Sequence, residues 1–145
     1  MLKNIPFAFV VMLVVFQQLP STQVADNGSW IGKNAVNDHV FDPQLAKALV
    51  KFLQEEGAAH VVDFGCGMGL YVQEMLDAGL EAQGFDGNPA TPELTQGVCK
   101  VLDLSTPFEL DQKFDWVLSL EVGEHIPVEY ETIFIENLVR HAEKG

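Results

Sequence analysis

Basic residues are scarce in this chain: 8 Lys and Arg stand against 21 Asp and Glu in 145 residues, for a net charge of −13. Every acid lies at Asp26 or later, so the folded part carries the whole negative charge. Such a surface repels phosphate backbones, because nonspecific nucleic-acid binding needs clustered Lys and Arg. The composition therefore counts against bulk DNA or RNA as a partner and favours a small-molecule substrate. Cysteine is scarce too. Cys66 and Cys99 allow at most one disulfide, and no CxxC or Cys/His spacing suggests zinc. Two free, buried thiols are expected. There is no internal repeat, no low-complexity segment and no apolar run of the ~20 residues that span a bilayer comfortably. The length suits one domain, not two.

What apolar run there is lies at the start, from Ile5 to Phe16, just after Lys3. A basic start and a short apolar run match a secretory signal peptide or an uncleaved signal-anchor over residues 1–25. This points to the secretory pathway or to membrane contact through residues 5–16. A cytoplasmic protein with a buried N-terminal helix is the alternative. Residues 26–41 are polar and rich in turn signals such as Asn27-Gly28, and they read as a linker or flap. Trp30 and His39 are its candidates for covering a site.

Residues 42–145 form the expected domain. Asp42-Pro43 is a helix start, with Asp as N-cap and Pro at the first helical position. Leu45, Ala46, Leu49, Val50 and Leu53 give that helix one apolar face, and Gly57 ends it. The run Ala59 to Phe64 suits a strand buried on both faces. A helix from Leu70 to Ala78 follows, then strands at Glu81–Asp86, Val98–Leu102 and Phe114–Leu120, and a last helix opened by Pro127 with Gly145 as its cap. Strands alternating with helices imply an α/β fold with a Rossmann-like parallel sheet. The link from Asp103 to Lys113 is too short for a full helix and must cross as extended chain. The outer edge of the fourth strand is expected to be bare and apolar, as in a fragment of a larger sheet.

The loop Gly65-Cys66-Gly67-Met68-Gly69 joins the first of these strands to the next helix. Glycines permit a tight turn and let a ligand approach the backbone. The helix start offers free N–H groups that favour a carboxylate or a phosphate. A dinucleotide fold wants G-x-G-x-x-G, but the position that pattern requires is Leu70 and the third glycine is Gly69. Asp63, just before the loop, would repel a pyrophosphate and could hold an ammonium group. A ligand with both amino and carboxylate groups, as in methionine, fits this polarity. Asp86 ends the second strand about 20 residues past the loop, the spacing at which an acid reaches ribose hydroxyls. Asp103 ends the third, where it can accept from an adenine amino group while Leu104 packs on the ring. Three acids at three successive strand ends, around one glycine loop, outline a cofactor site.

On these residues, from Val61 to His125, the chain resembles class I S-adenosylmethionine-dependent methyltransferases. Val-Val-Asp-Phe-Gly-Cys-Gly-Met-Gly and Phe-Asp-Trp-Val-Leu-Ser-Leu-Glu-Val-Gly-Glu-His-Ile carry the likeness most specifically. The resemblance implies a seven-stranded sheet, of which this chain holds strands one to four. It implies that Asp63, Gly65, Cys66, Gly67 and Gly69 hold the methionine part of S-adenosylmethionine, Asp86 the ribose, and Asp103 with Leu104 the adenine, with Glu121 beside the same pocket. The segment Glu121-Val122-Gly123-Glu124-His125 also looks like that of some metal-dependent O-methyltransferases, in which two Glu and a His bind magnesium. That implies Glu121, Glu124 and His125 as metal ligands. Without a metal, His125, with Glu124, is the candidate general base. Phe64, Phe85 and Trp116 sit in strands and read as core. The rival functions are a dinucleotide or nucleotide-sugar enzyme, against which Leu70 and Asp63 argue, and a non-catalytic binding module.

Overall fold

A computed structural model describes residues 22–34 and 39–145. The expected leader lies outside these residues except for its last four, and so does the run 5–16 read as membrane-contacting. Among the described residues no helix is long and apolar enough to cross a membrane. The start of the segment read as a linker or flap closes an antiparallel hairpin of two short strands, β1 (Gln23–Val24) and β2 (Trp30–Ile31). Backbone bonds from Ala25 N–H to Ser29 C=O and from Gly28 N–H to Ala25 C=O close its turn.

Helix α1 (Pro43–Glu55) starts as the sequence implies. Asp42 Oδ1 accepts from the N–H groups of Gln44 and Leu45 at 2.8 and 3.2 Å, satisfying two orphan donors of the first turn. At the other end Gly57, at φ +64°, turns the chain back so that Ala58 N–H bonds Leu53 C=O. Leu45, placed on the apolar face from sequence, is instead 41% exposed; Ala46 and Leu53 are the buried members.

Four parallel strands follow: β3 (His60–Phe64), β4 (Glu81–Asp86), β5 (Cys99–Val101) and β6 (Trp116–Leu118), in the order β5-β4-β3-β6. Between them lie α2 (Leu70–Asp77) and the single turn α3 (Thr91–Leu94), and α4 (Glu131–His141) comes last. Adjacent residues of a strand point to opposite faces. Thus Val61 packs with Leu53, Val72 and Met75 on the α1–α2 side, while Val62 and Phe64 pack with Phe85, Phe114 and Phe134 on the α4 side. Each such side chain contributes ~1.5–3 kcal/mol by leaving water. The Asp115 carboxylate takes the N–H groups of Ala59 and His60 at 2.7 and 3.0 Å, tying the start of β3 to its neighbour.

Three expectations at the chain's end are corrected. The fourth strand pairs with β3 only over Trp116–Leu118, and its outer edge is not bare. Phe114 bridges Ala142, and bonds from Glu143 N–H to Phe114 C=O, Lys144 N–H to Asp115 C=O and Val117 N–H to Gly145 C=O continue the pairing. Gly145 therefore accepts a backbone bond at that edge and does not cap the helix; α4 stops at His141 because Ala142 turns extended to reach that edge. Pro127 likewise opens a 3-10 turn, Val128–Tyr130, before α4 begins.

The crossing from β5 to β6 is irregular backbone, and α4 supplies its hydrogen-bond partners. Buried Asn137 donates to Leu104 C=O and Thr106 C=O and accepts from Phe108 N–H. His141 Nε2 accepts from Leu110 N–H at 3.0 Å while Nδ1 faces Asn137 C=O at 2.7 Å. Asn137 thereby holds the backbone just after Asp103. Asn137→Ala should lower stability by about 2 kcal/mol or more, since buried groups left unpaired cost ~1–3 kcal/mol each. Denaturant unfolding measures this, and a change within 0.5 kcal/mol, roughly the usual spread of surface substitutions, would contradict it.

Candidate functional site

The strand order places the first and fourth strands of the parallel sheet side by side, with neighbours added outward in opposite directions. Ligands in open α/β sheets bind outside the carboxyl ends of the strands at such a switch point. Here the loop after β3 meets the loop after β6. Gly65 sits at φ +92°, and a Cβ there would collide with the side chain of Val122. Both Gly65 N–H and Cys66 N–H donate to Phe85 C=O, at 2.7 and 3.1 Å, and Gly67 N–H donates to Asp86 Oδ2 at 2.9 Å. The glycine turn is thus clamped to the end of β4. Gly69, the N-cap of α2, brings no side-chain cap, and the first turn holds no acid, so its N–H groups remain available to an anion.

A cleft open to solvent lies over these strand ends. Its wall includes Gly65, Asp86, Asp103, Leu104, Glu121 and His125, six of the residues singled out from sequence. Asp86 Oδ1 accepts from Asn88 N–H at 2.8 Å and Oδ2 from Gly67 N–H, so each oxygen keeps lone-pair capacity for a hydroxyl. Burial pushes the Asp103 carboxyl upward, but donors from Ser105 Oγ, Ser105 N–H and Asn27 outweigh it and hold the group below its ordinary value. Glu121 is held at φ +54°, a left-handed conformation that costs a non-glycine residue about 1–2 kcal/mol.

Other expected residues stand elsewhere. Asp63 does not reach the cleft wall. It is 2% exposed in the middle of the sheet, between Gly84 and Leu118, and its Oδ1 has no hydrogen-bond partner. Desolvation first, and the charge of Asp86 second, raise its carboxyl to about 7. Cys66, Gly67 and Gly69 also lie off the wall. A Cβ at Gly67 would come within 2.7 Å of the His39 imidazole, and one at Gly69 within 2.9 Å of Cys99 Sγ. Both cysteines are free and buried, as expected. The expected metal set is not assembled: among the described residues no three His, Cys, Asp or Glu side chains come together in a way that could hold an ion. Gly123–His125 is a 3-10 turn, and at three residues per turn Glu124 and His125 point about 120° apart. His125 faces the cleft and Glu124 does not.

Part of the segment read from sequence as a linker or flap, with Trp30 and His39 as its candidates for covering a site, lines the cleft. Asn27, Gly28 and Ser29 line it beside Trp30, whose indole lies 5.0 Å from the His39 ring and 5.1 Å from that of His125. Asn27, Gly28 and Ser29 were read as part of that flap, with Asn27-Gly28 as a turn, but were not singled out as site residues.

A methyltransferase-domain family model matches residues 37–145, and the chain belongs to that family. Its fold is that of class I S-adenosylmethionine-dependent methyltransferases. Magnesium protoporphyrin IX methyltransferase from Synechocystis PCC 6803, solved with bound S-adenosylhomocysteine, superposes with a TM-score of 0.58 at 25% identity. The match covers 69% of this chain and 51% of that one. An amino pentose methyltransferase from Micromonospora echinaspora matches at 20% identity and TM-score 0.60, over 69% of this chain and 46% of the other. A methyltransferase from Clostridium acetobutylicum ATCC 824 matches at 14% and 0.61, over 74% and 49%. The last two likenesses bear on the fold alone. The chain spans about half the length of each of these structures. No curated protein matches the chain in sequence.

The Asp63 carboxyl gives the site a pH signature. Its folded pKa, about 7, lies above the ordinary 3.8, so the folded chain binds this proton more tightly than the unfolded chain. Its contribution is therefore full at acid pH and is lost as pH rises from about 4 to about 7. Thermal unfolding of Asp63→Asn across that range should show a flatter decline than the parent chain. Parallel pH profiles for the two would contradict the assignment.

Proposed function

We propose that this chain is the cofactor-binding part of an enzyme that transfers the methyl group of S-adenosylmethionine to a small-molecule acceptor. The observation that carries the proposal is the delivery of Gly65, Asp86 and Asp103 to one cleft from three adjacent strand ends. The residues fit the cofactor. Asp86 has lone-pair capacity for the two ribose hydroxyls, Asp103 accepts from an adenine amino group, and Leu104 offers an apolar surface for the ring. The uncapped start of α2 suits the carboxylate of the methionine part. Asp63 sits one layer beneath the wall, where its unpartnered oxygen and its position behind the glycine turn favour the positive end of the same ligand.

When bound, the cofactor supplies a methyl group already activated by the sulfonium charge. What remains for the protein is positioning, exclusion of water and removal of a proton. Trp30 and His39 cover the glycine turn and limit water. His125, exposed to the cleft from the turn after β6, is placed to take a proton from an oxygen or nitrogen acceptor. Glu121 lies beside it on the wall. A role for magnesium at Glu121, Glu124 and His125 would need a rearrangement of that turn. The described wall carries carboxylates and no Lys or Arg, which favours a neutral or protonated-amine acceptor over a carboxylate or phosphate. The solved relatives that act on a porphyrin and on an amino pentose are both named for small molecules.

Calorimetric titration with S-adenosylhomocysteine tests the reading. Asp86→Asn keeps an acceptor for Gly67 N–H but gives up a charged contact to ribose. It should weaken binding by about 10- to 100-fold, since a hydrogen bond to a charged group contributes ~1.5–3 kcal/mol. Tighter binding of NAD than of S-adenosylhomocysteine, or no effect of the substitution, would overturn it. In a longer protein that turns over, His125→Ala should lower kcat by about 10²–10⁴ with the homocysteine product's affinity unchanged, the range of a positioned proton acceptor.

A further inference from the structure

The chain's two cysteines, far apart in sequence, converge on one point beneath the glycine turn. Cys66 is the second residue of that turn, and Cys99 opens β5. Between them runs β4, whose Gly84 stands opposite Cys99 in the parallel pairing. A Cβ at Gly84 would meet Cys99 Sγ at 2.5 Å and the Cys66 Cβ at 3.1 Å, so both side chains fill the space that this glycine leaves. Cys99 Sγ also lies 2.9 Å from where a Cβ of Gly69 would stand, at the far end of the turn. The sulfur of Cys99 thus reaches across β4 and under the turn. Both cysteines are free and share one buried apolar cluster with Val72 and Met75. The Cys99 thiol first, and burial second, push Cys66 above its ordinary value, while the Cys66 thiol holds Cys99 below its own.

No step of the methyl-transfer reading uses these sulfurs. We propose that Cys66 and Cys99 form a dithiol modification site, which peroxide-class oxidants convert to a disulfide that draws the glycine turn off the end of β4. Peroxide oxidises one thiol to a sulfenic acid, and water leaves. The second thiol attacks that sulfur, the S–S bond forms, and the sulfenic oxygen departs as a second water with the thiol proton. Two electrons pass from the sulfurs to the broken O–O bond, and a thiol reductant reverses the change. The S–S bond, ~2 Å, is far shorter than the contact of two unbonded sulfurs. Cys99 is fixed in a strand, with its N–H on Thr95 Oγ1 at 3.0 Å, so the turn must yield. The bond that loosens is that of Gly67 N–H to Asp86, the carboxylate assigned to ribose. The effect on ligand binding rests on the methyl-donor reading; the bridge does not. By linkage, bound ligand protects the thiols to the extent that the bridge weakens binding.

Treatment of the folded chain with hydrogen peroxide tests the site. Intact mass should fall by two hydrogens, peptide mapping should join the segments holding Cys66 and Cys99, and dithiothreitol should restore both thiols. Amide exchange of Gly67, followed by NMR, should be faster in the bridged form. S-adenosylhomocysteine should bind that form about tenfold more weakly, as for the loss of one hydrogen bond. Cys99→Ser, which cannot bridge, should keep the exchange rate and affinity of the reduced parent at the same peroxide dose. The proposal is overturned if peroxide gives sulfinic acid or chain-to-chain disulfides without the internal bridge. It is equally overturned if the bridge forms and either Gly67 exchange or the affinity is unchanged. If the reduced chain binds no S-adenosylhomocysteine, the methyl-donor reading fails, while mass and Gly67 exchange still decide the bridge.

Discussion

The site depends on how the end of β4 grips the turn after β3. Parallel pairing sets Phe64 opposite Phe85, which brings the glycine turn alongside the next residue, Asp86. One carbonyl then takes two amides of the turn, and one carboxylate oxygen takes a third. A slip of one residue would turn every side chain of β3 to the opposite face and carry the turn away from its acceptors. The register is secured by apolar residues buried on both faces, so the core and the ligand cleft share one determinant. Gly65 adds the close approach to Val122 that joins the first and fourth strand ends.

Electrostatics shape the same region. Asp63, Asp86 and Asp103 are neighbours in a chain of net charge −13. The protein manages them differently. Asp103 is stabilised as an anion by Ser105 and Asn27, Asp86 holds backbone donors, and Asp63, deprived of both water and partners, is pushed toward its neutral form. A positively charged ligand arriving at this cluster would relieve the repulsion. The proposed cationic methyl donor suits this charge arrangement as well as the shape of the turn.

Much of this was legible in the sequence where the signal is local. Asp42-Pro43 names a helix start because the cap and the fixed φ act within one turn. The glycine turn and the acids at strand ends follow from short-range punctuation around β-rich runs. What was not legible depends on partners distant in the chain. Gly32 and Asn88 are 56 residues apart, and nothing near either signals that they will bond. The outer edge of β6 reads as bare because its partner, 142–145, carries no strand-like pattern of its own. The metal set read from Glu-x-x-Glu-His is not assembled among the described residues, where His125 faces the cleft and Glu124 does not. Asp63 was correctly seen as an acid beside the loop, but burial between two strands puts it behind the wall.

The central claim is that the strand ends carrying Gly65, Asp86 and Asp103 form an adenosyl site. The most direct test is a crystal structure of the chain with S-adenosylhomocysteine. The account predicts ribose hydroxyls on Asp86 and the adenine amino group on Asp103. Density for the ligand elsewhere on the molecule, or for adenine away from Asp103, would contradict it.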